Sequence, residues 1–417
     1  VENVLRADDY SKEDAATFSF SHETALLDAA DSTSPFANET IWKRSTIKIL
    51  LPCERHKFSS EDEAPKLRIR NVRHRSLVEV MRTAAKDESA KLWHNTPFKM
   101  FWKPTPESLP QRIISELYNA DAFLEEHDKI SKLPAHLPSD PPTPKPVENA
   151  VFAIMIWSDS THLTNFGDAS MWPIYLYPGN QSKYPRGRPT QHSAHHVAYI
   201  PSVPDDFSDT YMRKFGKPPS KAVETHVKRE LMQKVWLLML DDEFVNAYRN
   251  GIVTECADSL FRRYFPRFFI YSADYPEKIL ISTIRFLGIM PAPRALVPKK
   301  FIPALGTKVD EQRRKHVRLD NDARRGLVEA SRKLIFQHGV GITGVAVEER
   351  LQPQSLTPTR NAFSEKLSQF DFNFFSMLVS DLLHEIELGN WKAVFVHLMR
   401  ILQLIKNAIP TLNKRLV

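Results

Sequence analysis

Ala150-Val151-Phe152-Ala153-Ile154-Met155-Ile156-Trp157-Ser158-Asp159 is an apolar run that ends in a carboxylate. It reads as a strand, and Pro173 to Tyr177 and His196 to Ile200 are two more short β-rich runs, separated from it by Gly, Pro and Asn. Three strands so close in sequence suggest a meander. A helix is expected next, from Lys221 to Tyr248, with Val223, Val227, Leu231, Val235, Leu238 and Met239 on one stripe and Asn250-Gly251 as its stop. Ile252 to Ala257 and Phe265 to Ser272 then read as further strands, the second leading into Asp274.

Three strands, a helix, then strands ending in acids predict an α/β chain with a ribonuclease-H-like core and helical flanking and inserted segments. The core is expected over residues 148–284. Upstream, residues 1–65 read as an acidic, loosely held arm, with nine acids against two bases in residues 1–40. Residues 66–133 are expected to be helical, with Leu77 to Ala85 and Pro110 to Lys132 as the periodic stretches. Six prolines between Pro134 and Pro146 mark a linker over 134–147. Downstream, residues 285–373 read as a basic insertion, helical in parts from Val309 to Phe336. Residues 374–417 read as a helical segment with Trp391, Val394, Phe395, Leu398, Leu402 and Ile405 on one stripe.

Composition narrows the function classes. The 417 residues carry a net charge of +7, and a mean hydropathy of −0.37 with no long uncharged apolar run argues against a membrane span. Two cysteines, Cys53 and Cys256, cannot build a disulfide framework. Residues 285–333 hold thirteen bases against five acids. There Arg313, Arg314, Lys315, Arg318, Arg324 and Arg325 are candidates for following a DNA backbone, against the plainer reading of a solvated helix face. His192, His195 and His196 lack companion cysteines or an H-E-x-x-H pattern, so no zinc is expected on them. Phosphate-cradling glycine loops and a G-x-S-x-G elbow are absent from the sequence.

A carboxylate at a strand end is fixed by the sheet, and several together hold a divalent cation. Asp159 and Asp274 have that setting. Asp258, close to Arg262-Arg263, is a third candidate, with an acid paired to arginine in a hairpin as the favoured alternative. Glu387 falls on the apolar stripe of the last helix, where a buried carboxylate requires a cation; Glu385 lies on another face.

Ser158-Asp159-Ser160-Thr161-His162-Leu163, Trp172-Pro173-Ile174-Tyr175-Leu176 with Gly179-Asn180, Tyr271-Ser272-Ala273-Asp274-Tyr275-Pro276-Glu277 and Asp381-Leu382-Leu383-His384-Glu385-Ile386-Glu387-Leu388-Gly389 closely resemble the Plavaka-type transposases of fungal DNA transposons. These belong to the CACTA-like group of DDE enzymes. The resemblance runs in order from about Leu77 to Arg415 and includes Thr96-Pro97-Phe98-Lys99 and Asn119 to Glu126. It implies a ribonuclease-H-like core that cleaves double-stranded DNA at transposon ends and transfers the strand with two Mg²⁺ (or Mn²⁺) ions, in a nuclear homo-oligomer. By resemblance Asp159 is the first acid and Asp274 the second, with Asp258 as alternative. Asp381-x-x-His384 matches a D-x-x-H element, which leaves Glu387 or Glu385 as third acid, or a glutamate beyond residue 417. Asp159, Asp274 and Glu387 are thus the expected metal ligands.

The chain also departs from the family pattern. Where members carry Cys-Pro-Cys-Pro-Arg-Cys, it reads Met290-Pro291-Ala292-Pro293-Arg294-Ala295, so no zinc is expected at 290–295. It begins without Met and stops in an expected helical region, as a fragment or a decayed copy would. The competing expectation is therefore an inactive relative that only binds DNA or a partner.

Overall fold

The computed structural model describes residues 42–134, 141–162 and 170–415. Residues 44–417 form one unit; of the other, residues 1–43, only Trp42 and Lys43 are described. The arm expected at residues 1–41 therefore lies outside the described residues, as do Leu163 and part of the proline-rich stretch.

Seven strands build the main sheet: β1 (Lys43–Leu50), β2 (Lys66–His74), β3 (Val147–Ser158), β4 (Pro173–Pro178), β5 (His195–Tyr199), β6 (Ile252–Glu255) and β7 (Phe261–Ser272). Their spatial order is β1-β2-β5-β4-β3-β7-β6. From Ala150 to Ile156 no side chain of β3 is more than 5% exposed. A strand covered on both faces reads as an unbroken apolar run, which is why this one is legible. β4 and β5 continue from β3 as an antiparallel meander. β7 instead runs parallel to β3, from Phe261 opposite Val147 to Ser272 opposite Trp157.

A parallel neighbour requires a crossover connection, here a helical one. The helices include α1 (Leu77–Lys86), α2 (Asp121–Ser131), α3 (Lys221–Met239), α4 (Asp242–Asn250), α5 (Tyr275–Ser282), α6 (Lys308–Arg314), α7 (Asp322–Phe336) and α8 (Lys392–Gln403). In the crossover, α3 sets Trp236 against Phe268, Tyr271 and Phe363, with ring centroids 4.6–6.2 Å apart. Past β7 the chain returns to its end through a parallel bridge from Tyr271 to Leu378. Among the described residues no helix is long and apolar enough to cross a membrane.

Several expectations need correction. The helix expected from Lys221 to Tyr248 is two, because Asp241 accepts the Phe244 N–H at 2.9 Å and starts a new helix. Pro110 to Asn119 holds no α-helix: Asn119 Oδ1 accepts the N–H groups of Ser115 and Glu116, both at 3.1 Å, around a single 3-10 turn at Leu117–Asn119, and α-helix begins only at Asp121. β1 falls inside the expected arm, and β2 inside the segment expected to be helical. Residues 374–417 are not helical throughout, since helix resumes only at Leu382. Leu382–Trp391 is wound as a π-helix running into α8, and Gly389 does not break it. A Cβ at Gly389 would lie 2.8 Å from the His384 carbonyl oxygen, so this winding needs a glycine there.

Glu61, in the same expected arm, is tied into the interior. It accepts from Arg332 and Arg360, while Arg332, 2% exposed, also donates to Glu230 at 2.5 Å and to the Pro358 carbonyl at 2.7 Å. His226 lies 3.8 Å from Glu230, and its burial pushes it down to about 4. Burial alone would raise Glu230, but Arg332 and His226 outweigh it and hold the carboxyl low. For His226 the unfolded chain takes up a proton near pH 6.5 and the folded one only near 4, so stability falls as pH falls through that window. A loss on the order of 2 kcal/mol is expected between pH 7 and 5. Urea unfolding at both pH values checks it, with His226→Gln expected to flatten the dependence.

Candidate functional site

Because β3 and β7 are parallel neighbours, their C-terminal ends emerge side by side. A cavity of about 610 Å³ opens there. Ser158 and Asp159 line it from the end of β3, and Ser272, Ala273 and Asp274 from the end of β7. Asp381, Leu383 and His384 line it from the start of the π-helix, and Lys183 and Arg186 belong to the same wall. Asp159 and Asp274, over a hundred residues apart in sequence, thus face one space.

Each acid is fixed locally. Asp274 caps α5, its Oδ1 accepting the Glu277 N–H at 2.9 Å, with Pro276 in the first turn. Asp381 caps the π-helix, accepting the Leu383 N–H at 3.0 Å, and its other oxygen meets His384 Nδ1. That hydrogen bond raises the His384 imidazole above its ordinary value, and the charges of Asp159 and Asp274 add to the effect.

The remaining candidate acids lie elsewhere. Glu387 is exposed and does not line the cavity. The stripe expected to bury it is itself open to solvent, with Trp391 57% and Leu398 46% exposed, so the desolvation argument for a cation at Glu387 loses its premise. Glu385 forms an ion pair with the buried Lys278. Asp258 grips Arg262 through both oxygens, at 2.9 and 2.8 Å, as the hairpin alternative has it. It sits at the far end of twelve-residue β7, roughly 40 Å of strand away from Asp274.

The sequence reading missed Asp381 as an acid of the site, together with Lys183, Arg186 and Glu277. Asp381 was visible as the first residue of D-x-x-H. Glu277 was visible only as part of a quoted motif. It is 4% exposed and its pKa is pushed up to about 7, first by burial, against hydrogen bonds from Ser158 and Trp172.

The basic stretch divides in two. Arg318, 2% exposed, donates to the carbonyls of Met290, Ala292 and Gln354 at 2.7–2.9 Å, and its own N–H bonds the Arg294 carbonyl. It therefore pins the loop of residues 290–295 and is not open to a phosphate. Arg324, 4% exposed, bonds Asp320 and Thr283. Arg325 is held by Asp320 and Asp322. Arg313, stacked 3.7 Å over Phe301, Arg314, beside Asp310, and exposed Lys315 remain toward solvent, and Arg325 stays partly exposed beside its two acids.

Among the described residues no three His, Cys, Asp or Glu side chains already form a metal-holding cluster. No curated protein matches the chain. A family model described as Plavaka transposase matches residues 20–400. With that match covering nearly the whole sequence, the chain belongs to the Plavaka transposase family.

Proposed function

We propose that the chain is a DDE-type transposase with a ribonuclease-H-like core, which cuts transposon-end DNA and transfers the strand by two-metal phosphoryl transfer. The observation that carries this reading is the single cavity ringed by Asp159, Asp274 and Asp381 at the ends of two parallel strands. The antiparallel meander followed by a helical crossover to a parallel strand supports the core assignment.

Mg²⁺ fits these donors. It is a hard ion that takes one or two carboxylates and completes its shell with substrate phosphates and water, so a tight all-protein cluster is not required. Asp159 and Asp274 would hold the ions, with Asp381 rather than Glu387 as the third acid; Mn²⁺ accepts the same oxygens. When bound, the ions would activate the attacking water or 3′-hydroxyl and offset charge on the leaving oxygen. The chain's own part is positional. The two strand ends set the spacing of the acids, Asp381 orients His384, and Lys183 and Arg186 in the cavity lining receive backbone phosphates. Two transposon ends must meet, so we infer a homo-oligomer acting in the nucleus.

Mg²⁺-dependent nicking of a labelled terminal-repeat duplex by the purified chain tests the reading. A chain that binds the duplex yet never nicks it with Mg²⁺ or Mn²⁺ would instead be the inactive relative, a reading favoured by the loss of the cysteine segment at 290–295.

The basic stretch supplies a second check. Changing Arg313, Arg314 and Lys315 together to Ala is expected to weaken binding to all duplexes alike. It should also flatten the slope of log affinity against log salt by about 0.9 per lost phosphate contact. An unchanged slope would return these three residues to the role of a solvated helix face. Arg318→Ala and Arg324→Ala are expected to lower the melting temperature and leave the slope alone.

A further inference from the structure

The first turn of α5 touches the elements that carry the acids of the cavity, through side chains that are not part of its wall. Glu277 reaches to the end of β3. Ser158, the residue before Asp159, donates to Glu277 Oε1 and accepts from the Tyr271 hydroxyl at 2.8 Å. Trp172 Nε1 donates to the other carboxylate oxygen at 2.9 Å. Lys278, 3% exposed, donates to the Val379 carbonyl at 2.9 Å and pairs with Glu385, which holds the chain on both sides of Asp381. Asp274 itself caps the turn.

Burying a carboxylate and an ammonium costs several kcal/mol apiece unless both are well paired. Apolar residues would fill the space more cheaply, so two adjacent buried ionisable side chains, each with its own partners, point to a demand for fixed geometry. The acids supply that demand: like charges repel, and a displacement of about 1 Å at a reacting centre can cost about 100-fold in rate.

We propose that Glu277 and Lys278 are positioning residues of this site. Glu277 registers Asp159 against Asp274, and Lys278 registers Asp381 and His384 against that pair. The inference rests on the DDE reading above.

Nicking of the terminal-repeat duplex is measured against Mn²⁺ concentration, with duplex affinity in EDTA and melting temperature alongside. Glu277→Leu is expected to raise the half-saturating Mn²⁺ about 10-fold or more, with affinity in EDTA within about twofold of wild type. Glu277→Gln keeps an acceptor for Trp172 and lets Ser158 accept instead, so it should return to within about threefold. Lys278→Met is expected to lower the maximal rate about 10-fold while half-saturating Mn²⁺ stays within about threefold. Should Glu277→Leu not fold, Glu277→Asp, which withdraws the carboxylate by one methylene, takes its place with the same expected rise. Wild-type metal dependence in the Leu or Asp variant, or a Gln variant as impaired as Leu, overturns the proposal while the DDE reading stands. A wild-type chain inert with Mn²⁺ overturns the DDE reading and this inference with it.

Discussion

Alanine at Asp159 or at Asp274 is expected to lower Mg²⁺-dependent nicking by roughly three orders of magnitude or more, with duplex affinity in EDTA within about twofold of wild type. Both carboxylates face the same 610 Å³ cavity. Asp274→Ala also removes a helix cap, worth about 1 kcal/mol, so its melting temperature should fall slightly while that of Asp159→Ala should not. Asp274→Asn, which keeps a cap but not the charge, separates the two effects and should be as inactive as alanine. Asp381→Ala is expected to lose activity as well, and Glu387→Ala to keep it, because only the first of these acids reaches the cavity. Nicking retained in Asp159→Ala or Asp274→Ala would reject that residue's assignment. The reverse pattern at Asp381 and Glu387 would restore Glu387 as the third acid.

What could be read in the sequence follows from how each signal arises. β3 was legible because burial on both faces leaves an unbroken apolar run, and Asp159 was legible as the acid at its end. β2 carries a period-two signal that an irregularity interrupts. Leu67 and Ile69 are buried in alternation, then Asn71 at φ 58° slips the pattern, so that Val72 and His74 turn inward next. The convergence of Asp159 and Asp274 depends on parallel pairing of two strands joined by a helical crossover, which local periodicity does not encode. The basic stretch shows the same limit at single residues. Arg313 and Arg318 look alike in sequence, yet one stacks on Phe301 near solvent and the other closes a loop through three carbonyls. Glu277 was hidden for a related reason. A glutamate in the first turn of a helix is ordinarily solvated, and it is the end of β3 and Trp172 laid over it that make it a buried acceptor.

Arg332→Met is expected to cost about 3–5 kcal/mol of folding stability, a large fraction of what a domain has. The guanidinium is wholly enclosed and divides its donors among Glu61, Glu230 and the Pro358 carbonyl. Methionine fills much of the same volume, so the loss comes from what remains: a buried Glu230 that has lost its hydrogen-bonded cation, with His226 3.8 Å away, and a carbonyl without its donor. The pH dependence identifies that cause. In the wild-type chain Arg332 holds Glu230 below its ordinary value, so the stabilisation is fully present above about pH 4.5 and is lost as pH falls through the folded value. In the variant, burial acts on Glu230 without that opposition and raises it, so the carboxyl takes up a proton on lowering the pH and the penalty shrinks. The gap between wild type and variant in urea unfolding should therefore be widest near pH 7 and narrower near pH 5. Adding Glu61→Gln and Glu230→Gln to Arg332→Met should recover much of the loss, since neutral amides carry no buried charge. A gap under about 1 kcal/mol at pH 7 would mean that water reaches the cluster and the pairs behave as surface pairs. The network also bears on the site, because Glu230 lies on α3, a helix of the crossover between the meander and β7. Trp236 of the same helix packs on Tyr271, near the end of β7 and three residues before Asp274.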